Sequence, residues 1–147
     1  MRTFSISIDI AATTERVWQV MIDTGRWHEW TPSVTDVTRL ETGPFAVGST
    51  VLIRQPRLPP AKWTVTDVEP GRSFTWGSVG PGVRVTGRHS VESVGDGTRA
   101  TLSIEVQGML GGILWRMTRD ITERYVTFEA KGFKARSEKP DFRHGDI

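Results

Sequence analysis

The sequence contains no cysteine. Disulfides, thiolate metal ligands and a cysteine nucleophile are therefore excluded, and the composition suits a cytoplasmic protein. No run of 18 apolar residues occurs, so neither a membrane-spanning helix nor stable membrane insertion is expected. The opening Met1-Arg2-Thr3-Phe4 passes at once into a strand-like alternation, which leaves no room for a signal peptide. Charge of one sign is scarce: 19 Lys and Arg stand against 17 Asp and Glu, for a net charge of +2. No basic block forms a nucleic-acid footprint, so no nucleic-acid partner is expected. Histidine is limited to His28, His89 and His144, with neither a His-x-x-x-His nor an Asp-x-Asp-x-Asp cluster. A metal site would need such a grouping, so no metal and no cofactor are expected. No Gly-x-Ser-x-Gly prepares a serine nucleophile. Gly80-Pro81-Gly82 lacks the following helix and the Lys-Ser/Thr pair of a phosphate cradle. Internal repeats and linkers are absent.

The chain has 147 residues, which fits one domain. A chain of this length buries roughly 68–70% of its unfolded surface, enough for a core without staples. Six tryptophans are many for this length and supply core or cavity wall. Phe4, Ile6, Ile8 and Ile10 alternate with polar residues, the period of a half-buried strand. Thr13 or Thr14 caps a short amphipathic helix over residues 13–23, carried by Val17, Trp18, Met21 and Ile22. Residues 26–30 make a single further turn that packs two indoles, with His28 on the surface.

Six strands follow, over residues 34–42, 49–55, 61–68, 73–79, 83–94 and 98–106. Turn signals separate them, among them Glu69-Pro70-Gly71-Arg72 and Gly95-Asp96-Gly97. After Gly108 the period lengthens to three or four residues through Leu110, Leu114, Met117, Ile121, Tyr125 and Phe128. One helix is predicted over residues 109–135, roughly 40 Å long. Gly111-Gly112 weakens its start and Gly132 is placed to bend its end. The domain is expected to span residues 1–136, and residues 137–147, with Pro, charges and little apolar content, to form a mobile tail that includes His144.

This order predicts an α+β fold: a curved antiparallel sheet of about seven strands around a long C-terminal helix, with two short helices after the first strand. A twisted sheet of that size curls, and one helix closing it encloses a volume for a small, mostly apolar molecule. An exposed edge strand leaves a homodimer open.

Ile10-Ala11-Ala12-Thr13-Thr14-Glu15-Arg16-Val17-Trp18, Asp23 and Trp27-His28-Glu29-Trp30-Thr31-Pro32 resemble the SRPBCC (START/Bet v 1-like) superfamily, in particular its polyketide cyclase/dehydrase and lipid-transport group. Gly48, the segment from Trp63 to Arg72, Phe74-Thr75-Trp76 and Gly95-Asp96-Gly97-Thr98 extend the resemblance over residues 3–135. Ala11-Ala12 stands where the family pattern has Ala-Pro. The resemblance implies the helix-grip fold. It also implies three kinds of function: a carrier of a lipid, quinone or aromatic polyketide-like guest, a cyclase/dehydrase-type enzyme, or a co-chaperone-like interaction module.

Within that frame, residues 83, 85, 89 and 91 share an apolar strand face that turns His89 inward, where imidazole moves a proton to or from a guest. Trp63 and Trp76 are assigned inward because two exposed indoles would make an adhesive patch. Ile113, Met117, Ile121 and Tyr125 are assigned to the helix stripe facing the sheet, the Tyr125 hydroxyl adding a polar handle. Trp30, Val85 and Ile104 complete the candidate ligand wall. Only His89 and Tyr125 are candidates for catalysis. Arg116, Arg119, Asp120, Glu123, Arg124 and Glu129 are assigned to the solvated side of the helix.

Overall fold

A computed structural model describes residues 2–40 and 43–139. Its strands are β1 (Thr3–Ile10), β2 (Asp36–Arg39), β3 (Thr50–Arg54), β4 (Ala61–Glu69), β5 (Ser73–Gly80), β6 (Val83–Val94) and β7 (Gly97–Gln107). They form one antiparallel sheet in the order β1-β7-β6-β5-β4-β3-β2. Helix α1 (Thr14–Ile22) and a 3-10 helix (Thr24–Glu29) link β1 to β2, and α2 (Gly111–Glu138) follows β7. The expected helix-grip architecture is the one observed, with the curved sheet wrapped against α2.

Register explains which side chains meet. Ile6 lies opposite Leu102, Leu102 opposite His89, His89 opposite Phe74, and Phe74 opposite Val68. One apolar row thus crosses five strands on the concave face, with His89 in its middle. A register shift between Val65 and Asp67 in β4 adds local bend near the sheet's other half. At α1, the Thr13 hydroxyl accepts the Arg16 N–H at 3.1 Å, satisfying one of the unpaired donors of the first turn.

The long helix is seated unevenly. Tyr125, Val126, Ala130, Phe133 and Ser137 of its second half are buried. In its first half Ile113 is 60% and Met117 78% exposed. The cause is a close approach around residue 132. A Cβ added at Gly132 would lie 2.4 Å from the Trp30 ring and 2.8 Å from the Trp30 carbonyl oxygen. Glycine is required there because α2 rests directly on Trp30, and the helix continues through it without interruption. Trp27, 1% exposed, packs at 5.5 Å from Phe133 and donates its indole N–H to the Met21 carbonyl at 3.1 Å. Burying one such indole contributes about 4–6 kcal/mol before the cost of ordering it.

Polar contacts fasten the same end. The Ala11 N–H donates to Glu138 Oε2 at 2.8 Å, and Lys134 Nζ donates to that oxygen and to the Asp9 carbonyl. Arg16 donates to the Arg136 carbonyl, and Arg136 to Glu29. Helix α2 therefore extends to Glu138, past the expected helix end at 135: Ser137 is buried and Glu138 is bonded to the β1–α1 junction. The remainder of the expected tail, residues 140–147 with His144, lies outside the described residues. The strand expected over 34–42 is shorter, Asp36–Arg39, and its residues 41 and 42 also lie outside them.

The opposite end of α2 is fixed by main chain. Gly108 has φ +106°, and a Cβ there would lie 2.4 Å from the Gly82 carbonyl oxygen. That oxygen also accepts the Leu110 N–H at 2.9 Å. The β5–β6 turn and the start of α2 therefore meet backbone to backbone.

Gly132→Ala is expected to destabilise the fold by about 1–2 kcal/mol, because overpacking against Trp30 outweighs the gain in helix propensity. The urea midpoint measures this. The Ala11 N–H first, and Lys134 second, hold the Glu138 carboxyl below its ordinary value. A carboxylate with a lowered folded-state pKa stabilises above its unfolded pKa and loses that contribution as pH falls through the folded value. Glu138→Gln is therefore expected to lower the melting temperature near neutrality and to shrink the stability loss on acidification below about pH 5.

Candidate functional site

Because α2 is anchored by its second half, its first half stands off the sheet. A cavity of about 220 Å³ lies between them. Its sheet wall includes Trp63, Trp76, Val85, Gly87, His89, Leu102, Ile104 and Val106, and its helix wall Leu114, Thr118, Thr122, Tyr125, Val126 and Glu129. Leu58 and Pro59 of the β3–β4 loop close one side, and Trp27 another. Gly87 makes room for the Trp76 indole: a Cβ there would sit 3.0 Å from Trp76 Nε1.

Of the residues assigned from sequence, Trp63, Trp76, Val85, His89, Ile104 and Tyr125 line this cavity. Four do not. Ile113 and Met117 are exposed, and Ile121 is half-buried outside the cavity. Trp30 packs on Phe133, ring centres 4.5 Å apart, and acts as the helix seat instead of a wall. The inward face of α2 is Leu114, Thr118, Thr122, Val126 and Ala130, spaced by four. Threonine reads as polar, yet the Thr118 hydroxyl donates to the Leu114 carbonyl at 2.7 Å, which leaves its methyl group free for an apolar wall. Tracing back from the buried Ala130 in steps of four finds this face.

The larger correction concerns Glu129. Assigned to solvent, it lines the cavity with its side chain only 14% exposed. Its Oε1 stands 3.9 Å from His89 Nε2. That separation is beyond a hydrogen bond and within the span of one bridging oxygen. Trp27 was likewise not assigned to the site.

His89 is 6% exposed and held in plane by aromatics. Phe74 stacks on it at 4.4 Å with a 6° tilt, and Trp76 meets it edge-on at 5.5 Å. Its Nδ1 is buried without a hydrogen-bond partner among the described residues. An unpaired lone pair is tolerated better there than an unpaired N–H, so the proton of the neutral ring belongs on Nε2, facing Glu129. The site thus offers an N–H donor and a carboxylate acceptor side by side in apolar walls. The Tyr125 hydroxyl is engaged elsewhere, donating to the Pro56 carbonyl and tying the β3–β4 loop to α2. No group of three or more His, Cys, Asp or Glu able to hold a metal occurs among the described residues.

Fold and cavity together define the helix-grip class. The sequence model for polyketide cyclase / dehydrase and lipid transport proteins matches residues 1–138, and the chain belongs to that family. Among solved structures, the Zhui aromatase/cyclase from Streptomyces sp. R1128 is similar with TM-score 0.78 and 17% identity, over 99% of this chain and 98% of that one. A START superfamily protein from Mycobacterium smegmatis is similar with TM-score 0.73 and 14% identity, over 92% and 97%. The di-domain ARO/CYC StfQ of the steffimycin biosynthetic pathway has TM-score 0.74 and 12% identity, over 92% of this chain and 50% of that one. At these identities the likeness is one of fold. A search of curated proteins by sequence finds no match.

Tyr125→Phe frees the Pro56 carbonyl and the loop it holds. The Arg57 and Leu58 amides are expected to exchange with deuterium about fivefold faster, with β6 and β7 amides unchanged, as hydrogen-exchange mass spectrometry will measure.

Proposed function

We propose that this protein binds a small, mostly apolar molecule between the sheet and α2. The observation that carries the reading is the cavity itself: indole, aliphatic and threonine walls with one polar pair, His89 and Glu129, on one side. Ligand sites have this character, apolar walls with a few placed polar groups. The volume bounds the guest. An apolar cavity of about 150 Å³ admits benzene, and common ligand sites measure about 300–1,000 Å³. At about 220 Å³ the enclosed part of the guest is a one- or two-ring molecule, and a longer chain leaves part of itself outside. One hydroxyl on such a guest reaches both groups, accepting from Nε2–H of His89 and donating to Oε1 of Glu129. The family's lipid-transport and cyclase members support a guest of this kind.

The His89–Glu129 pair favours a second reading, a cyclase/dehydrase-type reaction. Glu129 takes a proton from a carbon between two carbonyls. The freed electron pair forms a carbon–carbon bond to a further carbonyl of the same chain. The carboxyl of Glu129 returns that proton to the resulting alkoxide, which the Nε2–H of His89 holds by a hydrogen bond. Held reactants in an apolar site supply much of such a rate enhancement through positioning.

One experiment separates the readings. Benzoylacetone is titrated into the protein by calorimetry, and exchange of its methylene protons with deuterium is followed by NMR. Filling the cavity with Val85→Trp is expected to weaken binding at least tenfold with the circular dichroism spectrum unchanged, and undiminished binding refutes an internal site. His89→Ala and Glu129→Gln are expected to retain binding. Loss of protein-accelerated exchange in both identifies an enzyme, whereas no acceleration by the wild type identifies a carrier.

A further inference from the structure

The first half of α2 carries a second apolar stripe, pointing away from the cavity. Met109 is 97%, Met117 78%, Ile113 60% and Leu110 49% exposed. Val79 is exposed on the adjoining β5–β6 hairpin, which Leu110 reaches through its N–H to the Gly82 carbonyl. Trp115, half-buried, lies between them in sequence. Isolated surface hydrophobes need no explanation, but a contiguous group at one end of a molecule does.

The charge around this group has one sign. Three segments converge at this end: the start of β1, the β5–β6 hairpin and the β7–α2 junction. Residues 1–8, 76–91 and 106–119 contain no Asp or Glu. Arg2, Arg84 and Arg116 border the apolar residues, Arg2 donating to the Gly108 carbonyl at 3.3 Å. Arg119 is turned back toward Glu123 at 3.6 Å. The nearest carboxylates in sequence are Asp9, Glu92, Glu105 and Asp120, beyond the ends of these segments. Two copies meeting through this patch would set like charges against each other, which costs affinity.

We infer that this end of the protein docks on the surface of an anionic lipid bilayer, with Met109, Leu110, Ile113 and Met117 entering the headgroup boundary and Arg2, Arg84 and Arg116 facing lipid phosphates. An apolar helix face bordered by arginine fits that interface. The contact is peripheral, since no helix among the described residues is long and apolar enough to cross a membrane. Leu114 and Thr118, on the same turns, line the cavity, so the docked segment is also part of the cavity wall. The inference holds whatever the cavity binds.

The test is cosedimentation with phosphatidylcholine vesicles and with vesicles containing about 30% phosphatidylglycerol, at low salt and at roughly 0.5 M salt. The wild type is expected to bind the anionic vesicles only and to be released by salt. Ile113→Asp/Met117→Asp alters two exposed side chains and is expected to weaken binding at least tenfold. Arg116→Ala, which leaves the apolar stripe intact, is expected to weaken it about fivefold. Thermal melts establish that each variant is folded. Absence of vesicle binding by the wild type overturns the inference, as does equal binding to neutral vesicles. A wild-type dimer in light scattering that the double variant converts to monomer also overturns it, assigning the patch to a second copy.

Discussion

The cavity depends on how α2 is seated, and the seat is the contact between Gly132 and Trp30. No side chain separates helix from indole at that point. Phe133 then reaches Trp27 and Trp30, and the carboxylate of Glu138 takes the main-chain N–H of Ala11. A helix of 28 residues held so firmly at one end cannot also follow the curl of the sheet at the other. The volume between Leu114 and the β6–β7 face is what remains where the helix and the curved sheet part.

The chemistry of the site follows from two burials of opposite kind. His89 belongs to an apolar row and is stacked on Phe74, so its ring has one orientation and one nitrogen turned to the cavity. Glu129 comes from the facing helix and brings a carboxylate into the same walls. A carboxylate removed from water is costly unless it is partnered. The separation of 3.9 Å leaves that partnering incomplete, and a guest hydroxyl completes it. Affinity for a polar atom is thus built into an otherwise apolar enclosure.

Strand and helix positions were legible in the sequence because their signals are local. Alternation in Phe4–Ile10 and the Gly95-Asp96-Gly97 turn act within a few residues, and β1, β6 and β7 appear within one or two residues of their expected ends. The inward turn of His89 was legible for the same reason, since strand parity fixes it. The facing side of α2 was not. Ile113 and Met117 outweigh Thr118 and Thr122 on any hydrophobic count, yet it is the threonines that line the cavity, Thr118 with its hydroxyl bonded back to the Leu114 carbonyl. Glu129 was invisible for a related reason: its neighbour His89 lies 40 residues away, and only the fold brings the two together. Gly132 reads locally as a weak point in a helix, but its function is set by Trp30, a residue a hundred positions earlier.

At the other end of α2, Gly82 and Gly108 touch through main-chain atoms alone. The angle at which the helix leaves the sheet is therefore set without reference to any side chain that faces the guest. Walls and frame are separable: the lining residues can be exchanged for bulkier, smaller or more polar ones while the enclosure keeps its height. Such a scaffold separates selectivity from architecture, with Gly82 and Gly108 as the fixed corner of an otherwise rewritable box.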